Sequence, residues 1–353
     1  MTSAIAQTAP ALIPPTRYQG SKRKLTAWLH DHLGVLAFET VLDAFGGSGA
    51  VSYLLKAMGK RVVYNDILAA NEQIGIALIA NDTVTLSRTQ LHRILDPVPD
   101  RSSQRHTFIR DTFKGIYFTD RENVWLDQTR ARIARIRDPF ARAIAWYALF
   151  QSAIAKRPYN LFHRCNLYMR TADVPRRFGN KRSWDRPFDE HFRVFVDRAN
   201  AALIDARGAC RVTRCDATDV SGRFDLVYAD PPYVNRRGVG VDYHHFYHFF
   251  EGMLDYSSWC GRIDRTSKHR RLRARPSAWT SARTVTAAFE RFFTRFERSI
   301  IVVSYRSDGI PSIDALVRLL RRFKPQVTAY THPRYQYALS TNRSSREVLL
   351  VGQ

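Results

Sequence analysis

Four consecutive residues, Asp230-Pro231-Pro232-Tyr233, set a carboxylate, two prolines and an aromatic ring side by side. They follow residues 224–229, a short apolar run rich in strand formers, and so read as the stop at the end of a buried strand. Open α/β sheets place their ligands at the carboxyl ends of strands. The prolines fix the turn, and Pro231 brings no N–H of its own to compete. Asp230 and the carbonyl of the Asp230–Pro231 link can therefore face one small amino group together, with Tyr233 as an aromatic platform beside them. Rigid acceptors next to a stacking surface suit the exocyclic amine of a nucleobase drawn out of its stack. A plain strand-to-loop exit uses the same residue types, so the rest of the chain has to decide.

A second set of residues has the pattern of a nucleotide site. Asp43, Phe45, Gly46, Gly47, Ser48 and Gly49 lie in a glycine-rich turn between a strand starting near Val41 and a helix over residues 52–58. A further strand from Arg61 then leads to Asp66. Strand, glycine turn, helix, strand and acid in that order open a nucleotide-binding βαβ unit. The glycines let the backbone approach a ligand, and Asp66 would accept hydrogen bonds from ribose hydroxyls. Neither the G-x-G-x-x-G spacing nor a G-x-x-x-x-G-K-[ST] run is present, which points to an adenosine without phosphates. Residues 211–217 read as a strand ending at Asp216 and Ala217, and that acid could accept the amino group of an adenine ring. Ahead of all this, Tyr18, Gly20, Ser21 and Lys22 form a basic loop into a helical pattern at residues 25–33, offering amides and a lysine to an anion.

The elements that must carry these residues are also visible. Strand patterns recur at residues 299–305, 327–330 and 346–351, the last two reading as an antiparallel pair around a polar turn at 340–345. Between residues 71 and 207 the texture changes to helical patterns, such as 129–137, 141–155 and 190–202, dense in arginine and aromatic rings. The expected division is a tail at 1–16, a catalytic domain from 17–75 and 205–353, and an inserted helical region at 76–204. Within the insertion, Arg157, Asn160, Arg164 and Asn166 lie in a loop that mixes cations, amides and aromatics, as base-edge and phosphate contacts require. Arg176, Arg177, Lys181, Arg182 and Trp184 continue that texture. The densest basic run, residues 262–275, offers Lys268, Arg270, Arg271 and Arg273 to phosphates. His244, His245 and His248 sit among aromatics with no acid or cysteine cluster, which favours an aromatic helix roofing the pocket over a metal site.

Composition narrows the partner. Against 32 acidic residues the chain carries 55 Lys and Arg, a net charge of +23, which exceeds what solubility needs and favours a polyanion, nucleic acid first. A 45% hydrophobic content excludes a disordered polyelectrolyte. The basic residues are spread along the chain rather than beside an apolar helix, and no apolar run reaches the roughly 20 residues of a membrane span. Cys165, Cys210, Cys215 and Cys260 fit neither a metal spacing nor a disulfide framework, so a reduced, cytoplasmic chain is expected. The start of the chain lacks a positive n-region and reads as a tail rather than a signal peptide. No cysteine is placed to attack a pyrimidine ring, which disfavours C5-cytosine chemistry.

Taken in order, the basic loop, glycine turn, acid after the second strand, long insertion and Asp230 to Tyr233 resemble the adenine-N6 DNA methyltransferases of the Dam-like D12 family, the α arrangement of amino-methyltransferases. The resemblance implies an α/β, Rossmann-like seven-stranded sheet with a terminal reversed hairpin, plus an inserted, mainly helical target-recognition region. It also implies S-adenosylmethionine as cofactor and direct transfer of its methyl to N6 of a flipped adenine in double-stranded DNA. Tyr18 and Lys22 match the family's first loop, where the lysine meets the cofactor carboxylate. Asp43 and Phe45 to Gly49 match the turn around its methionine part, Asp66 the ribose ligand, and Asp216 with Ala217 the adenine contact. Asp230, Pro231, Pro232 and Tyr233 match the catalytic motif. Two departures are mild: Tyr18 stands where many members have tryptophan, and Gly46 adds a glycine to the turn. The expected partners are duplex DNA and a cognate restriction endonuclease sharing the site, with the chain a monomer or weak dimer. Cytosine-N4 methylation, adenine-N6 methylation of RNA and a binding protein with a degenerate methylase fold remain as alternatives.

Overall fold

The computed structural model describes residue 14 and residues 16–96, 107–174, 181–333 and 344–353. Most of the expected tail, Arg176, Arg177 and the 340–343 part of the expected turn lie outside the described residues. Seven strands form one sheet: β1 Thr40–Asp43, β2 Arg61–Asn65, β3 Arg211–Thr213, β4 Leu226–Ala229, β5 Ile300–Arg306, β6 Val327–Thr331 and β7 Glu347–Gly352. Their order is β3-β2-β1-β4-β5-β7-β6. The first five run parallel, and β7 runs antiparallel to both neighbours, pairing Arg306 with Glu347 and Thr331 with Val348. This is the Rossmann-like methyltransferase sheet with a reversed terminal hairpin, and helices fill the chain between β2 and β3.

The strands are apolar throughout because both faces of the sheet are covered. Val41, Tyr64, Leu226, Tyr228, Val302 and Leu349 point to one face, where they meet Leu29, Leu54, Ile74, Tyr147 and Phe192. Their neighbours Leu42, Val63, Val227, Ala229, Val303 and Leu350 point to the other, against Phe289, Phe292, Leu316 and Leu320. The first face is built largely by residues of the helical stretch, with Pro139–Ala155 packed on Phe188–Ala201 and on Ala69–Gly75. Sheet and helical region thus share one core.

Local chemistry moves several boundaries from their expected places. The helix expected at 129–137 spans Asp120–Ile133, because Thr119 and Glu122 make a reciprocal capping box. The one expected at 141–155 starts at Pro139, where Asp138 caps the amides of Phe140 and Ala141. Strand β3 is three residues long rather than seven. Beyond Thr213 the Asn65 side chain replaces the backbone partner, accepting from the Cys215 amide and donating to the Cys215 carbonyl, both at 3.2 Å. Asp216 therefore sits in a loop past the strand. The aromatic segment is two short helices, Tyr243–Phe246 and His248–Leu254, broken at Tyr247.

Strand order reverses between β1 and β4, which opens a crevice at their carboxyl ends. Asp43 ends β1, and Asp230 follows β4 directly. A buried lysine joins the first two helices that follow the sheet's opening strands: Lys56 donates to the carbonyls of Ile79 and Asn81, each at 2.8 Å, and pairs with Asp82 at 2.9 Å. These bonds close the π turn Ile76–Ala80 that continues the helix after β2. Replacing Lys56 with methionine keeps the stem but leaves three acceptors without it. The expected cost is about 3 kcal/mol of unfolding free energy, the usual result of breaking a buried pair. Urea unfolding of Lys56→Met within 1 kcal/mol of wild type would show that the pair is dispensable.

Candidate active site

The crevice continues as a cleft of about 1220 Å³, open mouth included, that gathers residues from distant parts of the chain. Tyr18, Lys22, Asp43, the turn from Phe45 to Ser48, Asp66, Asp216, Ala217, Asp230 and Pro232 all line it. Nearly every expected cofactor residue is thus at one place. Gly49 sits just behind, at φ +76°, as the left-handed start of helix Ala50–Ala57.

The glycine turn is held from both sides. Tyr64 packs its ring against Gly46 and donates from its hydroxyl to the Gly47 carbonyl at 2.8 Å. Asp66 accepts from the Gly47 amide through one oxygen and from the Leu68 amide through the other, both at 2.9 Å. Two carboxylate oxygens anchored by single amides still have lone pairs for a ligand hydroxyl. Asp216 caps its own loop, accepting from the amide and hydroxyl of Thr218. Asp43 differs: one oxygen accepts from Ser52 at 2.7 Å, and the other accepts no hydrogen bond among the described residues. Burial first, then the charges of Asp230 and Asp66, push its carboxyl up to about 7 against the Ser52 bond. An underused buried carboxylate at a ligand cleft suits a cation, as the ammonium of a bound amino acid would be.

Asp230 is arranged asymmetrically. Its Oδ1 accepts from the Lys22 ammonium at 2.8 Å and from the Tyr233 hydroxyl at 2.7 Å. Its Oδ2 has no hydrogen bond among the described residues, and the side chain is 17% exposed at the cleft. One oxygen is fixed and the other is offered. Burial raises the carboxyl's pKa, the Lys22 charge opposes it, and the nearby Glu347 charge adds to it.

Lys22 lines the cleft, and its ammonium lies between Asp230 and Glu347, 3.3 Å from the latter, and also touches the Tyr233 hydroxyl. One expectation is corrected here. Tyr233 is no open platform: its ring is buried edge-on to Tyr305, with centroids 5.3 Å apart, and does not line the cleft. Tyr243, Trp279 and Pro232 supply the apolar walls. Tyr243 belongs to the roof anticipated from the aromatic segment, and it stacks on Tyr18, which stacks in turn on Tyr247 at 4.7 Å. This stack pins the first loop over the cleft. Among the described residues no group of three or more His, Cys, Asp or Glu could hold a metal ion, and no helix is long and apolar enough to cross a membrane.

The two basic loops meet beside that roof. The Tyr117 hydroxyl donates to the His269 carbonyl at 2.8 Å, and Cys165 lies 3.2 Å from the Lys268 carbonyl. Arg164, Lys268 and Arg273 are exposed, while Asn160 and Arg270 are half-buried. Arg271 is tied to Asp264 at 3.1 Å. Arg157 is a correction: it is 1% exposed, donates to the carbonyls of Leu161, Tyr117 and Arg164, and lies 4.4 Å over the Tyr117 ring. Asn166 is buried too, against the Pro158 carbonyl. Both hold the loop from inside.

Sequence reading missed several residues. Arg275 lines the cleft mouth, Ile67 lines the cleft beside Asp66, and Asn65 ties β2 to the Asp216 loop. Glu347 is fully buried behind Asp230, and its signal was available: it is a charge opening an otherwise apolar strand.

Known proteins bear on this geometry. Residues 18–257 match the family model described as D12 class N6 adenine-specific DNA methyltransferase. A type II methyltransferase, M2.HphI of Haemophilus parahaemolyticus, is 25% identical over 346 residues, covering 96% of each chain. Another, M.NlaIII of Neisseria lactamica, is 23% identical over 340 residues, covering 93% of this chain and 95% of the relative.

The tightness of the turn makes it testable. A methyl added at Gly46 would lie 2.1 Å from the Tyr64 ring, so Gly46→Ala must displace that ring from Gly47. A loss of about 1–3 kcal/mol in urea unfolding is expected, together with weaker cofactor binding in a calorimeter. Unchanged values in both would mean that the turn has slack.

Proposed function

The chain belongs to the D12 class of N6 adenine-specific DNA methyltransferases, and from that premise we propose how its own residues carry the reaction. The substrate is an adenine rotated out of duplex DNA into the cleft, at a short site read mainly by the helical region and the two basic loops. The single observation that carries this reading is the anchored Asp230 carboxylate, which lines the cleft with one oxygen held by Lys22 and Tyr233.

S-adenosylmethionine, when bound, supplies an activated methyl on a sulfonium, so the protein's task is alignment. Asp43 would hold its ammonium, the glycine turn its methionine part, Asp66 its ribose and Asp216 with Ala217 its adenine ring. The unused oxygen on Asp43 and the place of Gly46 and Gly47 in the cleft lining fit that assignment. The amine of adenine is a weak nucleophile because its lone pair is delocalised into the ring. Asp230 and the carbonyl of the Asp230–Pro231 link accept its two hydrogens, turning the lone pair toward the methyl. Tyr233 orients the carboxylate through its hydroxyl, and stacking of its ring on the base would require it to leave its seat against Tyr305. Pro232 and Tyr243 offer the base a surface without that movement. Transfer is direct, with no covalent enzyme intermediate. Both relatives are named as type II methyltransferases, and a restriction endonuclease cutting the same site is the companion proposed for this chain.

Incubation with labelled S-adenosylmethionine and unmethylated duplex DNA or total RNA, followed by nucleoside mass analysis, is the direct test. N6-methyladenine from DNA is expected, lost by about 10²-fold or more in Asp230→Ala with DNA binding retained. A methylated cytosine, an RNA product, or full turnover by the variant would overturn the assignment.

Cofactor binding should also depend on pH through Asp43. Its raised pKa, about 7 without ligand, means that a neighbouring ammonium favours the ionised form and drives a proton off. Affinity should therefore fall as pH drops below 7, while calorimetry near neutral pH in buffers of different ionisation heat detects proton release. Proton-silent binding from about pH 6 to 8, or the same pH response in Asp43→Asn, would remove Asp43 from that role.

A further inference from the structure

We propose that Glu347 is a positioning residue for methyl transfer, acting through Lys22 to keep Asp230 oriented and available. The inference rests on the methyl-transfer reading of the cleft and assigns it a residue that does not line it.

Glu347 reaches this place because β7 is reversed. A parallel strand would bring its last residue to the cleft edge of the sheet, whereas β7 brings its first. The side chain is fully buried, which is costly for a carboxylate unless it is paired. Ser304 of β5 donates to its Oε1, and the Lys22 ammonium lies 3.3 Å from that same oxygen. Lys22 in turn is 2.8 Å from Asp230. One ammonium thus stands between two carboxylates.

The division matters for the reaction. Paired with Asp230 alone, Lys22 would neutralise that carboxylate and compete with the incoming amine for it. Shared with Glu347, it neutralises Asp230 less completely, and Asp230 keeps more of its accepting power. Glu347 is held from behind by Ser304, so the ammonium cannot follow Asp230 toward the cleft. Tyr233, which also contacts Lys22, fixes the remaining direction.

Steady-state methylation of duplex DNA bearing the wild type's mapped site tests this. Glu347→Gln should lower kcat about tenfold or more, a common size for coupled neighbours, while KM for S-adenosylmethionine and for DNA moves by less than about threefold. Glu347→Asp should restore part of the rate. In a Lys22→Met background the Glu347→Gln change should cost less than about twofold, because its route is gone. Ser304→Ala, a gentler variant, should lower kcat in the same direction with KM unchanged. A full, additive cost of Glu347→Gln without Lys22, a loss confined to KM, or normal kcat in Ser304→Ala would overturn the role. Failure of the wild type to methylate any DNA would instead overturn the methyl-transfer reading itself.

Discussion

A carboxylate asked to accept hydrogens in a sheltered crevice must stay charged there, and that requirement organises the centre of this protein. Burial works against the Asp230 charge, and the Lys22 ammonium 2.8 Å away works for it. An ammonium cannot be left at such a place without support. Lys22 is 4% exposed at its side chain, between Asp230 and Glu347, in the first turn of the segment Lys22–Leu25. Three separate pieces of chain must therefore arrive together. The first loop arrives through the stack of Tyr18 on Tyr247 and Tyr243, β4 through its parallel pairing with β1 and β5, and β7 through its reversal.

Around this cluster the chain anchors each carboxylate and leaves acceptor capacity on it. Asp43 is bonded by Ser52 on one oxygen, Asp230 by Lys22 and Tyr233 on one oxygen, and Asp66 by single amides on each. Groups oriented in this way need little rearrangement when a ligand enters, so their cost is met in folding rather than in binding. The glycine turn belongs to the same scheme. Its backbone is fixed by Tyr64 on one side, and Phe45 to Ser48 line the cleft on the other.

Much of this was legible in the sequence because the relevant signals are local. Apolar runs ended by an acid or by prolines placed β1, β2 and β4, and glycines between strand and helix placed the turn. The reversed pair at the end of the chain was legible from its polar turn, although part of that turn lies outside the described residues. Long-range substitutions were not legible. Strand β3 stops early because the Asn65 side chain takes over from the backbone, and no pattern within residues 211–217 encodes that. Lys22 and Tyr233 were read as facing a ligand because their types allow it, yet each is bonded to Asp230, Tyr233 from within the same motif and Lys22 from across the fold. A lysine's role is set by the nearest carboxylate in space, and sequence distance, 208 residues here, hides it.

The arginines carry the same lesson further. Arg157 sits in a loop whose composition suggests contact with a polyanion, but its guanidinium is spent on three carbonyls and a tyrosine face. Its burial lowers its pKa to about 9, which still leaves it charged at neutral pH. No carboxylate pairs with it among the described residues, so carbonyl dipoles solvate the charge without cancelling it. Arg170 and Lys156 nearby share a single acid, Glu122, at 2.7 and 3.0 Å. Around Glu122 and Arg157, the three cations Arg157, Arg170 and Lys156 outnumber the acid that two of them contact, and a charge in a low-dielectric interior is felt at longer range than a screened surface charge. Buried cations would therefore act on a polyanion without touching it. Exposed Arg164, Lys268 and Arg273 are the residues proposed for the contacts, and the field behind them would add to the attraction.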